Sequence, residues 1–267
     1  MERQSKPQKI SKQKEEESDS TGKSEAFRQV TSSKFDAFKI QDMPDCDVYY
    51  VPSLVTKKKS DEWYTSLLEL DSWYQPTLKV YGKEVTQSRK IAAYSTDPKL
   101  TLKYSGQTVD MKYEYPLLLR TIQDEVEEYL GVKFNHVMLN LYEDGTVYIG
   151  NHRDNPENKV IASLSLGAER TFVMTHDSKT KKTIKKAATT ELSTSKKGKR
   201  KAETLQDSTP SSTESSVSVL QKRWILGSGS LVIMQGDTQK FWKHEIPKEA
   251  KIKGGRISLT FRQLVNL

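Results

Sequence analysis

The sequence predicts a mainly-β domain of the jelly-roll type with helices packed on its outside. Three observations predict this. From Val137 onward, short runs of alternating apolar and polar residues are separated by turn residues, which is the pattern of a many-stranded antiparallel fold. The strongest helical stripe in the chain, Pro116–Leu130, lies just before those runs. No apolar run approaches the roughly 20 residues needed to span a bilayer, so no membrane partner is expected.

Residues 1–33 alternate Lys, Glu, Ser and Gln with few apolar residues, and read as a disordered tail with no apolar stretch of a secretory signal. The ordered domain is expected over 34–267, beginning near Phe35. Asp61–Leu70 reads as a helix: Asp61 can cap it, and Trp63, Leu67, Leu68 and Leu70 fall on helical spacing. In Pro116–Leu130 the stripe is Leu118, Ile122, Val126, Tyr129 and Leu130, with Gly131 placed to close the helix. Strands are expected at Val137–Tyr142, Thr146–Ile149, Val160–Leu166, Arg170–Thr175, Ser230–Gln235 and Arg256–Arg262.

Between the fourth and fifth of these strands lies Ser178–Leu220, with 17 Ser or Thr among its 43 residues and no apolar periodicity. It reads as a disordered insertion. It carries ten Lys or Arg against four Asp or Glu, so 10 − 4 = +6 of the chain's net +8 resides there. The rest of the domain is close to neutral. A basic total draws a polyanion, and Lys196–Lys201 has the composition of a nuclear-localisation signal or a nucleic-acid patch; the plainer reading is a solvated segment. Cys46 is the only cysteine, which rules out an internal disulfide and a cysteine zinc cluster and fits a reducing compartment, cytosol or nucleus.

Two strands have an unusual polar side. In Arg256–Arg262 the even positions are Arg256, Ser258, Thr260 and Arg262, while the odd ones are Ile257, Leu259 and Phe261. In Val137–Tyr142, Asn140 and Tyr142 share one side. Strand geometry puts each set on one face. The ordinary reading sends the polar face to water; the other is a barrel whose lumen holds a polar ligand.

A metal-type constellation bears on that choice. His152 and Asp154, at i and i+2 on extended chain, lie on one side, and His244 follows far downstream. Two imidazoles and one carboxylate are the facial triad of non-haem iron(II), which leaves positions open for a keto acid and dioxygen. A keto acid's far carboxylate needs a cation, and Arg256 and Arg262 can grip it bidentately. His-x-Asp alone arises often by chance; with a distant His and Arg256-x-Ser258-x3-Arg262 the pattern becomes specific. His136 and His176 have no carboxylate partner in such a pattern and read as structural.

Taken in order, Asn140-Leu141-Tyr142 with Asp144-Gly145, His152-Arg153-Asp154, Ile161–Ala168, Arg170-Thr171-Phe172, Gly229–Met234, Trp242-Lys243-His244 and Arg256–Arg262 resemble the signature of AlkB-like dioxygenases across residues 76–264. Val80-Tyr81-Gly82-Lys83 with Arg89-Lys90 and Tyr104-Ser105-Gly106 is similar to the nucleotide-recognition lid of the duplex-preferring animal branch. The resemblance implies a double-stranded β-helix core, with His152, Asp154 and His244 on iron(II). It implies Asn140, Tyr142, Arg256, Thr260 and Arg262 on 2-oxoglutarate, with ascorbate as a reductant. It also implies Tyr81, Arg89, Tyr104, Ser105 and Glu157 as nucleic-acid contacts, Tyr81 being the finger that fills the space of a flipped base. The implied activity is oxidative demethylation of 1-methyladenine and 3-methylcytosine in double-stranded DNA, releasing formaldehyde and succinate, by a monomeric nuclear repair enzyme.

The chain departs from the family in two places. Pro156 stands where relatives carry an acidic residue two after the metal Asp, with Glu157 one residue later, and Leu102 stands where the branch has a tyrosine. Two other readings therefore stay open: the same chemistry on RNA or another modified base, and a non-catalytic nucleic-acid-binding module. A binder, however, has no need of an intact triad and two arginines.

Overall fold

The computed structural model describes residues 29–31, 33–80, 82–104, 107–156, 158–177 and 220–264. Tyr81, Ser105, Glu157, the side chain of Tyr104, most of the N-terminal tail and the Ser178–Leu220 insertion up to residue 219 lie outside that description. The strands are β1 (Asp47–Val51), β2 (Thr77–Val80), β3 (Lys83–Thr86), β4 (Lys90–Ser95), β5 (Lys103–Tyr104), β6 (Gln107–Thr108) and β7 (Met111–Lys112). They continue with β8 (His136–Tyr142), β9 (Ile149–His152), β10 (Val160–Gly167) and β11 (Arg170–His176). Last come β12 (Gln221–Leu226), β13 (Leu231–Gln235), β14 (Trp242–Ile246) and β15 (Arg256–Arg262). The helices are α1 (Lys57–Leu68), α2 (Leu117–Leu130) and the one-turn α3 (Thr238–Phe241).

Seven strands form one sheet in the order β1-β13-β10-β15-β8-β4-β7, and four form a second in the order β12-β11-β14-β9. One face of the larger sheet is apolar. Leu139, Leu164, Ile233, Leu259 and Phe261 pack there against Trp63 and Leu67 of α1 and Leu119, Ile122 and Val126 of α2. The opposite face meets the smaller sheet, where Ile161, Val232 and Met234 cluster with Phe172, Met174, Leu226 and Trp242. Two facing sheets with helices on the outside make this a mainly-β domain consistent with the jelly-roll expectation. Short hairpins β2–β3 and β5–β6 stand apart from both sheets.

Register decides which residues share the inner face. Across β8, β15 and β10, Asn140 pairs with Ser258 and Ser258 with Ser165; Tyr142 pairs with Arg256; Met138 with Thr260 and Thr260 with Ser163; His136 with Arg262. Directly opposed residues point the same way. The even positions of β15 therefore form one polar surface with Asn140 and Tyr142, and Arg256, Ser258, Thr260 and Asn140 are all buried. The polar face lines an interior and does not meet water, so the lumen reading holds. The odd positions face α1 and α2, which explains why a strand with apolar residues on only one side can still be covered on both.

Several boundaries differ from the sequence expectation. α1 starts four residues early, with Thr56 as its cap accepting from the Lys59 amide, while Asp61 instead pairs with Lys57 at 2.6 Å. A first turn of Lys57-Lys58-Lys59-Ser60 has no apolar stripe, so periodicity cannot detect it. In α2 the fully buried leucine is Leu119 and Leu118 is only partly covered, while Gly131 closes the helix at φ 69°, in the left-handed region open to glycine. Thr146 and Val147 are not strand: the Asp144 carboxylate accepts from the Thr146 amide at 2.7 Å and its hydroxyl at 2.6 Å, folding a turn that delays β9 to Ile149. The tail also ends sooner than 33. Val30 is buried, and its amide and carbonyl are both bonded to the Gln235 side chain at 2.9 Å.

Candidate active site

β9 and β14 pair so that His152 and His244 stand directly opposite, with ring centroids 4.3 Å apart. Asp154 follows two residues after His152, its amide donating to the Gln239 Oε1 at 2.9 Å. Gln239 belongs to α3, which leads straight into β14, so one short helix fixes both the carboxylate and the strand of the second histidine. The Phe172 ring lies 5.5 Å from His244 and keeps that side of the imidazole dry.

The electrostatics suit a cation. Burial lowers the His244 imidazole to about 3, the neighbouring His152 ring adding to the effect, and burial likewise lowers His152. Both rings are therefore neutral at physiological pH, the form that can ligate a metal. Burial pushes the Asp154 carboxyl up, but Arg262 and the two imidazoles outweigh it and hold it down to about 2, so the carboxylate stays charged. His152 Nδ1 lies 2.8 Å from the Gly150 carbonyl, a contact that makes Nδ1–H the donor and leaves Nε2 as the free lone pair. Asp154 Oδ2 and His244 Nδ1 are buried with no hydrogen-bond partner.

These features fit iron(II) by donor type and by their unpartnered atoms, though the triad is not drawn together. Among the described residues, no three His, Cys, Asp or Glu side chains stand at metal-binding separation. The reason lies in Asp154 Oδ1, held by Arg262 Nη2 at 2.9 Å. Arg262 was expected to grip a keto acid; the structure places it first on Asp154.

Arg256 is different. It is buried at 2% exposure, lies 5.1 Å from the Tyr142 ring, and donates through Nη2 to the Ser165 hydroxyl at 2.9 Å. Its Nε and Nη1 have no partner, and no carboxylate is paired with it among the described residues. Burial lowers its pKa from the ordinary arginine value. A buried cation without a counter-ion is costly unless an anion supplies one. Asn140, Tyr142, Ser258 and Thr260 line the same cavity as Arg256, His152, Asp154 and His244, and with Arg89 and Arg262 nine sequence-predicted site residues converge on one space.

Arg89 is a correction. The sequence placed it towards nucleic acid, near an orphaned base or phosphate. It is instead 4% exposed, its Nε donating to Asn140 Oδ1 at 2.8 Å inside this cavity. β4 pairs with β8 immediately beyond it, which carries Arg89 inwards beside Asn140. Ser165, Gln239 and the Gly150 carbonyl were not foreseen as site residues. Ser163 and Ser165 could have been, since they interrupt the apolar β10 at alternate positions on the face that meets β15. The remaining histidines are not ligands: His136 is fully buried opposite Arg262, and His176 stacks on Phe241 with ring centroids 6.3 Å apart.

Comparison with known proteins places the chain in a family. The model of the 2OG-Fe(II) oxygenase superfamily matches residues 47–262. The chain is 31% identical to the DNA oxidative demethylase ALKBH2 of Arabidopsis thaliana, covering 81% of this chain and 66% of that one. It is 31% identical to human ALKBH2, covering 79% and 71% respectively. It is 28% identical to the human alpha-ketoglutarate-dependent dioxygenase alkB homolog 3, covering 79% and 64%. A solved 2OG-Fe(II) oxygenase family structure from Burkholderia pseudomallei shares 12% identity at a TM-score of 0.42, covering 80% of this chain and 84% of that one. The chain belongs to the 2OG-Fe(II) oxygenase superfamily, whose cofactors are iron(II) and 2-oxoglutarate.

Proposed function

We propose that this protein removes N-methyl groups from alkylated bases in DNA, with 1-methyladenine and 3-methylcytosine as substrates. The observation that carries the reading is Arg256, a guanidinium buried beside Tyr142 with two unpartnered donors in the cavity that also holds His152, Asp154 and His244. In this assignment His152, Asp154 and His244 hold iron(II). Arg256 takes the far carboxylate of 2-oxoglutarate, with Asn140, Tyr142 and Thr260 around it. When bound, iron(II) and 2-oxoglutarate would supply the oxidation with dioxygen as oxidant: one oxygen atom would go to 2-oxoglutarate, which leaves as succinate and carbon dioxide, the other would enter the N-methyl C–H bond, and the hydroxymethyl adduct would break at C–N to give formaldehyde and the free base.

The chain's own groups prepare this. The Gly150 carbonyl fixes the His152 tautomer, Arg262 keeps Asp154 ionised, and Phe172 with Leu226 excludes water from the site. Hairpins β2–β3 and β5–β6 carry the segments that resemble a nucleotide-recognition lid, with Tyr81, Tyr104, Ser105 and Glu157 as the base and duplex contacts. A double-stranded substrate, a monomeric enzyme and a nuclear location complete the proposal, the last supported by Lys196–Lys201.

The test is an assay of succinate and formaldehyde with iron(II), 2-oxoglutarate and one 3-methylcytosine in double-stranded DNA, single-stranded DNA or RNA. Equimolar products, fastest on the duplex, are expected. Faster turnover of RNA would move the substrate, and no turnover of any would return the protein to the binding-module reading.

A further inference from the structure

Little backbone joins the two segments that carry the candidate ligands. β9 is an edge strand, and its ladder with β14 sets His152 opposite His244 and Ile149 opposite Ile246, with a register shift between them. The strand ends at His152, so Asp154 lies beyond the last paired residue. Side chains take over there. Gln239 holds the Asp154 amide, as described above. Arg153, between the two ligands in the chain, makes the other join: Nη1 donates to the Lys240 carbonyl at 2.9 Å, and Nη2 to the Asp177 carboxylate at 2.8 Å.

Asp177 is placed to receive it. It directly follows β11, which pairs with one side of β14 while β9 pairs with the other. Its amide donates to the Phe241 carbonyl at 2.7 Å, and Lys243 Nζ lies 3.8 Å from the carboxylate oxygen that accepts from Arg153. Lys240, Phe241 and Lys243 all belong to the four residues before His244. Asp177 is therefore fixed by backbone to the His244 segment and by a charge-assisted bond to the His152–Asp154 segment. It does not line the cofactor cavity. The Arg153 and Asp177 side chains are 29% and 23% exposed, and an ion pair this open to water adds little to stability.

We propose that Asp177 is a positioning residue for the iron site: through Arg153 it sets how far the His152–Asp154 segment lies from His244. The inference rests on the assignment of His152, Asp154 and His244 as the iron(II) ligands. Groups outside the ligands fix their orientation, and metal affinity follows that orientation.

The test measures manganese(II) binding to the full chain by equilibrium dialysis, without 2-oxoglutarate or DNA, beside the melting temperature of the metal-free protein. Wild type should bind the metal and Asp154→Ala should not. Asp177→Asn should weaken affinity about tenfold, the lower end of what losing a ligand-orienting group costs. Arg153→Met separates positioning from plain charge. Removing a cation adjacent to both ligands would by charge alone tighten metal binding. Loss of the clamp should instead loosen it by about tenfold or more, because the Lys240 contact goes too. The double variant should bind as Arg153→Met does, since both changes break one link. Melting temperatures should barely move. No binding by wild type, or equal binding by Asp154→Ala, would overturn the ligand assignment and this inference together. Wild-type affinity in Asp177→Asn, tighter binding in Arg153→Met, or losses that add in the double variant would overturn the inference alone. So would a large fall in melting temperature in either single variant, which would make the pair structural.

Discussion

The two ends of the cavity are built differently. At the end assigned to the cofactors all of these side chains but Asp154 sit on strands: Asn140 and Tyr142 on β8, His152 on β9, His244 on β14, Arg256 and Thr260 on β15. Paired neighbours on both sides fix those on β8, β14 and β15, and His152, on the edge strand β9, is held by β14 alone. At the substrate end the wall is Leu102, Lys103 and the Asn155–Asn158 loop, and the expected contacts Tyr81, Ser105 and Glu157 fall outside the described residues. Chemistry that must not vary is held by hydrogen-bonded ladders. In the proposed function recognition falls to connecting segments, where residues such as Pro156 and Leu102 can differ without disturbing the sheet.

That difference is sharpest at Asp154, which bridges the two ends. Asp154→Ala should bring formaldehyde and succinate formation below detection, because two imidazoles alone hold iron(II) poorly. The protein should stay folded, with a lowered melting temperature, since Arg262 loses a partner at 2.9 Å. Turnover near wild type would dissolve the distinction and the iron assignment with it.

The two arginines of β15 make the next test. Arg256→Met should raise the 2-oxoglutarate requirement by roughly thirtyfold or more, since removing one partner of a buried charge pair costs about 2–5 kcal/mol. It should also raise the melting temperature measured without 2-oxoglutarate, because an unpaired buried cation is gone. Arg262→Ala should do the reverse to stability, leaving Asp154 uncompensated, and should weaken 2-oxoglutarate binding more than DNA binding. If both variants shifted melting in the same direction, the contrast between a waiting cation and a paired one would be wrong.

The sequence pointed to this shared face for a physical reason. Strand period two converts Arg256-x-Ser258-x-Thr260-x-Arg262 directly into a shared face, and two histidines with one carboxylate have few other uses. It did not reveal that Arg89 turns inwards, because that depends on β4 pairing with β8, a long-range register that no local pattern encodes. β1 to β7, β12 and β14 were also missed. Asp47–Val51 has only five residues, and Gln221–Leu226 is largely exposed, so neither shows the alternation expected of a half-buried strand.

A smaller effect is expected at Tyr81. If it fills the space of a flipped base, Tyr81→Ala should slow repair of methylated duplex about tenfold relative to methylated single strands, since stacking on a base is worth roughly 1–3 kcal/mol. The melting temperature should barely move. Equal losses on both substrates, or a large drop in melting temperature, would return Tyr81 to a core role and remove the support for a duplex preference.

The smallest effect should come from removing the insertion. Its two ends meet on one hairpin: β11 and β12 pair from Arg170↔Leu226 to Thr175↔Gln221, and the His176 amide donates to the Leu220 carbonyl at 2.9 Å. Leu220 thus already belongs to the sheet. Residues 178–219 leave and rejoin at a single point, so replacing them with a short turn leaves every ladder hydrogen bond in place. Methylated-base turnover on short single strands should stay within about twofold of wild type, because loop length alone changes closure entropy only slowly. Duplex binding should weaken, with a shallower salt dependence. Every phosphate that a cation neutralises adds about 0.9 to the log–log slope, so removing a few of the ten Lys and Arg from the DNA would shallow it by about 2. An unchanged slope would show that these cations face water, and the basic charge would then belong to solubility or localisation. Unfolding on deletion would mean that the segment contributes to the domain, and the hairpin closure would not be the natural end of the fold.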